Sequence, residues 1–233
     1  MRKIFLRFAM ITVFLLCESV APSILKYAHS FKIPDTDQRR CFQALYPYDE
    51  ITCPASGNPL AQDGSYITYP LSYTDNGNGT VSDNNTGLTW QRKDDSKTRT
   101  WADASTYCAN LKLGNHDDWR LPSMDELMSI VDYAIPAPGP TIHSFFKNTK
   151  ASEYWTTAYR SVNFNDGAVY YYSRGQHYVR CVRGTQWQQE FLDMGNGTVT
   201  DLRTRLRWQQ GEPGSMTWDK ALSYCEGLSL AHL

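Results

Sequence analysis

The sequence predicts an α+β domain of short strands and two helices, followed by the start of a second, similar unit. Asn- and Gly-rich turn signals between short apolar segments predict hairpins, and two segments with helical spacing follow them. Residues 75–91 return as residues 193–209, 118 positions later. After a gap of one residue, Trp101 returns as Trp218. Such a fixed offset indicates a reused folding unit.

The chain divides into four predicted parts. Residues 1–21 have the pattern of a secretion signal, with basic residues before a short apolar run and small residues at the cleavage positions. Residues 22–72 form a Pro-rich lead-in, residues 73–188 the complete unit and residues 189–233 a truncated second copy. We expect an exported protein. A proline directly after the expected cut leaves an uncleaved, membrane-tethered signal as an alternative.

The complete unit opens with a predicted hairpin. Asn76–Gly79 is a strong turn signal because Asn and Gly tolerate positive φ, and the strand Gly87–Gln91 follows it. A Ca²⁺ loop over residues 75–83 is the alternative, but it lacks the closing carboxylate of an EF-hand. Thr100 and Asp103 then form an N-terminal capping pattern for a helix that runs to residue 111.

A second helix and a strand meander complete this unit. Ser123 and Glu126 form a capping box, and the apolar spacing continues until Pro136 ends the helix. Strands are then expected over residues 154–157, 168–173 and 177–182, with turns at residues 165–167 and 174–176.

Five cysteines follow the signal, and in an exported protein they are expected to form disulfides. Cys41 and Cys53 lie close together in the lead-in, so a local bridge is expected. Cys108 on the first helix can reach Cys181 on the last strand. Cys225 corresponds to Cys108 by the repeat, and the equivalent of Cys181 would lie beyond the end of the sequence. We therefore expect Cys225 to be unpaired.

Several blocks in this order resemble the Lcl C-terminal domain family, which is named for the tail of a bacterial collagen-like adhesin. The blocks are residues 75–81, 86–91, 101–108, 118–122, 154–156 and 180–183. The resemblance covers about residues 73–184, with a partial second copy from residue 191. It implies a C-type-lectin-like fold in a bacterial protein that is exported to the periplasm, the cell surface or the medium.

Composition and spacing argue against several functions. Without residues 1–21, 20 basic and 23 acidic residues remain, so a nucleic-acid partner, which requires a basic excess, is not expected. The five histidines form no pair with metal-ligand spacing, and no Glu-Pro-Asn triplet of the sugar-binding lectins is present. We expect no metal, no cofactor and no catalytic residues.

The remaining signal is a group of aromatic, amide and charged residues in the strand meander. Aromatic faces with polar neighbours suit sugar rings, and arginine suits sulfate or carboxylate groups. The sequence therefore predicts a non-catalytic recognition module for a glycan or a surface protein, and it leaves oligomerisation open. The alternative is a structural or degenerate remnant of a longer two-domain protein. The predicted ligand-binding residues are Arg160, Asn163, Asn165, Asp166, Tyr170, Tyr172, Arg174 and His177.

Overall fold

A computed structural model of the protein describes residues 31–44, 46–171 and 174–230. It shows an α+β fold of short antiparallel strands and few helices. The predicted signal at residues 1–21 lies outside the described residues. The strands are β1 (Cys41–Phe42), β2 (Glu50–Ile51), β3 (Tyr73–Asp75), β4 (Thr80–Asp83), β5 (Thr89–Gln91), β6 (Glu153–Trp155), β7 (Ser161–Asn163), β8 (Val169–Tyr170), β9 (Val182–Arg183), β10 (Phe191–Asp193), β11 (Thr198–Asp201) and β12 (Arg207–Gln209). The helices are α1 (Trp101–Ala109), α2 (Met124–Met128) and α3 (Trp218–Glu226).

The main sheet has the strand order β3-β4-β5-β9. The Asn-Gly turn joins β3 to β4, and Asp75 lies opposite Val81 in this hairpin. The carboxylate of Asp75 accepts a hydrogen bond from the Gly77 N–H and pairs with Arg92 at 2.8 Å. The predicted hairpin is therefore confirmed, and the loop's first carboxylate already has partners within the protein.

The strand meander differs from the sequence prediction in two ways. A strand at Ser161–Asn163, which the sequence did not indicate, lies between β6 and β8 in a separate three-stranded sheet. The predicted last strand divides between two sheets, because Tyr178 forms a parallel bridge with Tyr154 in β6, whereas β9 pairs with β5, with Val182 opposite Trp90. The prediction that all late strands form one meander is therefore wrong, since the chain returns to the main sheet.

The first predicted helix is confirmed and the second is shorter than expected. Thr100 caps α1 by accepting a hydrogen bond from the Asp103 N–H, and Ser123 and Glu126 form the predicted capping box of α2. However, α2 ends at Met128 rather than near Pro136. The Asp132 N–H donates to the carbonyl oxygen of Thr141, so a contact with a distant loop replaces the next helical turn.

Two disulfides hold the molecule. Cys41 and Cys53 join the lead-in hairpin, and Cys108 and Cys181 join α1 to the residue before β9 across 73 positions. Both predicted bridges are confirmed. The Cys108–Cys181 bridge lies in one buried apolar cluster with Trp155, whereas the larger cluster packs β4, β5 and β7 against α2.

Residues 191–226 repeat the element order of residues 73–109. Strands β10, β11 and β12 form a separate sheet, and its registers equal those of β3, β4 and β5 shifted by 118 positions. Helix α3 follows, as α1 follows β5. This segment contacts the lead-in through a hydrogen bond from the Ser223 hydroxyl to the Pro59 carbonyl oxygen. Within the part of the chain that the structure describes, no helix meets the length and hydropathy needed to traverse a bilayer.

Candidate functional site

An exposed aromatic face lies beside the connection between β6 and β7. Tyr159 is 55% exposed, and its ring lies on Trp101, with 4.9 Å between the ring centroids. The Trp101 indole N–H donates to the Thr156 carbonyl oxygen at 2.9 Å, which fixes the platform beneath Tyr159. Rings held in this way lose little conformational entropy when a ligand packs on them.

The backbone of Tyr159 is in the left-handed region, with φ of 58°. This conformation costs free energy for a residue that carries a side chain. Two hydrogen bonds close the turn, because the N–H and hydroxyl of Thr156 both donate to the Arg160 carbonyl oxygen at 3.0 Å. The turn therefore holds a tyrosine outward at a position that would favour glycine.

Arg160 follows Tyr159 in the chain and lies against a second exposed ring. Ser161 lies opposite Tyr170 in the β7–β8 hairpin, so Arg160 comes opposite Tyr171. The guanidinium carbon of Arg160 lies 4.5 Å from the centroid of the Tyr171 ring, and this tyrosine is 60% exposed. A cation and an aromatic ring side by side suit a ligand with an apolar ring face and acidic groups.

The predicted ligand-binding residues do not all meet at this face. Asn163 and Asp166 accept backbone hydrogen bonds from Asn165 and Ala168, so their side chains stabilise the β7–β8 turn. His177 is half-buried, and its ring lies against Trp155 with 4.3 Å between the ring centroids. Among the described residues, the tyrosine that lies against Arg160 is Tyr171, which the sequence analysis did not select.

Two further predicted residues, Tyr170 and Arg174, are exposed near this hairpin. Tyr172 lies outside the described residues. Sequence reasoning missed Trp101, Tyr159 and Tyr171. The sequence offered one indication of Tyr159, an aromatic residue directly before Arg160 in a turn. No sequence pattern indicates that a tyrosine adopts the left-handed backbone conformation. We refer to Trp101, Tyr159, Arg160 and Tyr171 as the aromatic face.

A second concave region lies between the lead-in, α2 and the repeated segment. Its cavity has a volume of about 330 Å³ and includes Phe31, Met128, Tyr133 and Trp187 in its lining. Arg203 from the repeated segment places its guanidinium 4.5 Å from the Phe31 ring and 5.4 Å from the Trp187 ring. These contacts show how the repeated segment docks on the rest of the chain.

The arginine of the Arg-Cys-Val-Arg block is a buried structural group. Arg180 is fully buried and pairs with Asp94 at 3.2 Å. Its guanidinium also donates to the carbonyl oxygens of Gln91 and Arg92 at 2.6 and 2.9 Å, and Tyr154 donates to the same Asp94 carboxylate. Burial lowers the pKa of Arg180, and burial also raises the pKa of Tyr154. The network joins β5, β6 and the strand that carries the disulfide.

The Asp-Trp-Arg-Leu-Pro block is structural as well. Arg120 donates two hydrogen bonds of 2.7 Å to the buried carboxylate of Glu126 at the start of α2. Asp118 pairs with Arg183, and the hydrogen bond from this arginine lowers the pKa of Asp118. These two blocks therefore build the fold, whereas the block at residues 101–108 supplies Trp101 to the aromatic face.

The described residues contain no group of three or more His, Cys, Asp or Glu side chains that could hold a metal ion. Two carboxylates in this part of the chain have structural partners. Glu126 binds Arg120, and Asp118 binds Arg183. Neither side chain belongs to the aromatic face.

These arrangements agree with a comparison of the sequence with known families. Residues 79–183 match the model of the Lcl C-terminal domain family. The match runs from the β3–β4 turn to the end of β9 and includes both cysteines of the Cys108–Cys181 bridge. It supports the family for this segment, and the repeated residues 191–226 lie outside it. No curated protein and no solved structure gives a significant match to the chain.

Proposed function

We propose that this protein is a non-catalytic surface recognition module, adhesin-like in character, whose aromatic face binds an acidic glycan. The observation that carries the proposal is the pair formed by Arg160 and Tyr171, next to Tyr159 on its Trp101 platform. Sugar rings pack on exposed aromatic faces, and a guanidinium forms strong hydrogen bonds with sulfate or carboxylate groups. The family match at residues 79–183 supports a surface or adhesin-like role.

The proposal includes export and a C-type-lectin-like relationship. Two disulfides suit an oxidising compartment outside the cytoplasm, and residues 1–21 have a signal-like pattern. A bridge from the first helix to the last strand and a sheet that brings both ends of the unit together support the fold relationship. The Asp75 carboxylate in the β3–β4 turn binds the Gly77 N–H and Arg92, so we propose binding without a metal.

The test is a glycan array probed with the purified protein, with sulfated, carboxylated and neutral glycans on the same surface. We expect acidic glycans to be preferred, binding to survive EDTA, and binding to weaken as salt screens the charge of Arg160. Arg160→Ala and Tyr159→Ala should each reduce affinity about tenfold, the effect typical of a residue central to an interface.

A matched control is Tyr46→Ala. Tyr46 is also a highly exposed tyrosine, at 85%, but it lies in the lead-in hairpin away from the aromatic face. Equal losses for Tyr46→Ala and Tyr159→Ala would reject the aromatic face as the site. Binding that EDTA abolishes would reject the metal-independent mechanism, and binding to protein ligands alone would replace the glycan with a surface protein.

A further inference from the structure

The strand that carries Cys181 is held in the first unit by a defined set of contacts. Val182 lies opposite Trp90, the Gln91 N–H donates to the Cys181 carbonyl oxygen at 2.9 Å, and the Cys181 N–H donates to Gln91 Oε1 at 3.1 Å. The disulfide to Cys108 completes the attachment. Main-chain hydrogen bonds, the side-chain amide of Gln91 and the disulfide to Cys108 therefore attach this strand to the first unit.

The repeated segment has the same residue types at the positions that attach this strand in the first unit. Trp208, Gln209 and Cys225 stand at the repeat positions of Trp90, Gln91 and Cys108. In the first unit, the Gln91 amide also binds the Tyr107 hydroxyl at 3.0 Å. Tyr224 stands at the repeat position of this tyrosine, directly before Cys225.

In the repeated segment these residues are not covered. Among the described strands, β12 pairs with β11 alone, whereas β5 pairs on both sides. Trp208 and Cys225 are exposed, whereas Trp90 and Cys108 are fully buried. A hollow of about 190 Å³ lies beside β12 and is lined by Trp208, Gln209 and Leu228. Leu228 connects this hollow to the residue with the free thiol, because its N–H donates to the Cys225 carbonyl oxygen at 3.2 Å.

The charge needed by the incoming strand is also present. In the first unit Arg180, directly before Cys181, pairs with Asp94. Glu212 stands 118 positions after Asp94 and is exposed.

We propose that this open edge, formed by β12, Glu212 and Cys225, is a docking site for one added β-strand. That strand has the chemistry of residues 179–183, with alternating apolar and basic residues around a cysteine. It adds to β12 as an antiparallel strand, which is a recognised mode of peptide recognition. Gln209 holds its main chain, Glu212 pairs with its arginine, and Cys225 forms a disulfide with its cysteine.

The covalent step is a thiol–disulfide exchange. The Cys225 thiolate attacks the cysteine sulfur of a partner that already carries a small thiol as a mixed disulfide. A new S–S bond forms, and the small thiol leaves as a thiolate. No separate oxidant is consumed, because the mixed disulfide supplies the oxidised sulfur.

The test uses the full chain with Cys17→Ser, so that Cys225 is the one unpaired thiol that the sequence and the two disulfides leave. A synthetic peptide of residues 177–185, with thionitrobenzoate on its cysteine, is mixed with this protein, and release of the coloured thiol is followed. We expect this peptide to react about tenfold faster than a scrambled peptide of the same composition, because docking raises the effective concentration of the two sulfurs.

Three variants separate docking from simple thiol reactivity. Cys225→Ser should abolish the reaction, and Glu212→Gln should reduce the advantage of the matched peptide while leaving the scrambled peptide unchanged. Trp208→Ala should also reduce the advantage. Equal rates for matched and scrambled peptides would overturn the proposal. So would a Cys225–Cys225 dimer that forms without any preference for the peptide. Neither result bears on the aromatic face.

Discussion

Residues 73–109 and 191–226 have closely related sequences and the same local structure, yet several apolar side chains that are buried in the first are exposed in the second. Trp90 is fully buried, whereas Trp208 at the same position is 54% exposed. Leu88 and Leu206 differ in the same way, at 2% and 45% exposed. Strand registers and the following helix are nevertheless the same.

The difference shows which part of the fold is local. Turn and capping residues specify the hairpin, the third strand and the helix in both places. Burial comes from elsewhere, because β9, α2 and the β6–β8 sheet cover β5 in the first unit. The interior of the first unit is therefore a property of residues 112–184 as much as of the repeat.

The largest contrast is expected from the two tryptophans. Trp90→Ala removes a fully buried ring from the main apolar cluster and should lower the free energy of unfolding by about 5 kcal/mol. Trp208→Ala removes an exposed ring and should change it by less than about 0.5 kcal/mol. Urea denaturation of the full chain measures both values. A large loss for Trp208→Ala would show that the repeated segment has a cover that the described residues lack.

The disulfide gives the next contrast. Replacing Cys108 and Cys181 together by alanine opens a bridge that spans 73 positions, which should cost about 4 kcal/mol in the chain-entropy description. Cys225→Ala should be neutral, since this thiol is exposed and free. Chemical denaturation with and without a reductant checks the pair, because the double variant should be insensitive to reduction of that bridge. Stability losses of similar size at all three cysteines would contradict the comparison.

A smaller contrast lies in one turn. Gly87 has φ of 72°, and no atom lies within 4 Å of where its Cβ would be, so Gly87→Ala isolates the backbone cost of about 1 kcal/mol. Arg205 stands at the same position with φ of 62°. Arg205→Gly should therefore stabilise its turn, by about 0.5 kcal/mol after the entropy of glycine is counted. Hydrogen exchange of the Arg205 and Leu206 amides measures this, and faster exchange in the variant would contradict it.

The sequence predicted the features that depend on neighbours in the chain. The Asn-Gly hairpin, the caps at Thr100 and Ser123, and the local Cys41–Cys53 bridge need only a few adjacent residues. The sequence did not predict where α2 ends, because a backbone hydrogen bond from Asp132 to Thr141 replaces the next helical turn. The sequence also did not predict β7, because a strand of three residues is too short to show an alternation of apolar and polar residues.

The candidate site was harder to predict than the fold. The pairing of Arg160 with Tyr171 depends on the register between β7 and β8, and an error of one residue moves every side chain to the other face. The buried pair of Arg180 and Asp94 joins residues far apart in the chain, so no local pattern indicates it. Arg160 was predicted as a ligand-binding residue because an arginine near aromatic residues in the sequence indicates binding whatever the strand register is.

The smallest expected effect is a pH dependence of stability at Asp83. Its carboxylate accepts a backbone hydrogen bond in its turn, as the carboxylate of Asp201 does in the equivalent turn of the repeated segment. Burial raises the pKa of Asp83 more than the hydrogen bonds from Asn85 and Thr86 lower it. The folded state therefore holds a proton on this carboxyl more readily than the unfolded state does. Its contribution to stability is fully present below the unfolded pKa, about 3.9, and is lost as pH rises through the folded pKa.

Asp83→Asn removes this dependence and keeps an oxygen that can accept the two backbone hydrogen bonds. We expect the stability of Asp83→Asn relative to the natural protein to increase as pH rises from the acidic range toward neutrality. Urea denaturation over that range measures the difference. Asp201→Asn serves as the matched control, because it makes the same change of a carboxylate to an amide in the equivalent turn. A relative stability of Asp83→Asn that stays constant or falls with rising pH would show that hydrogen bonding, not burial, controls this carboxyl.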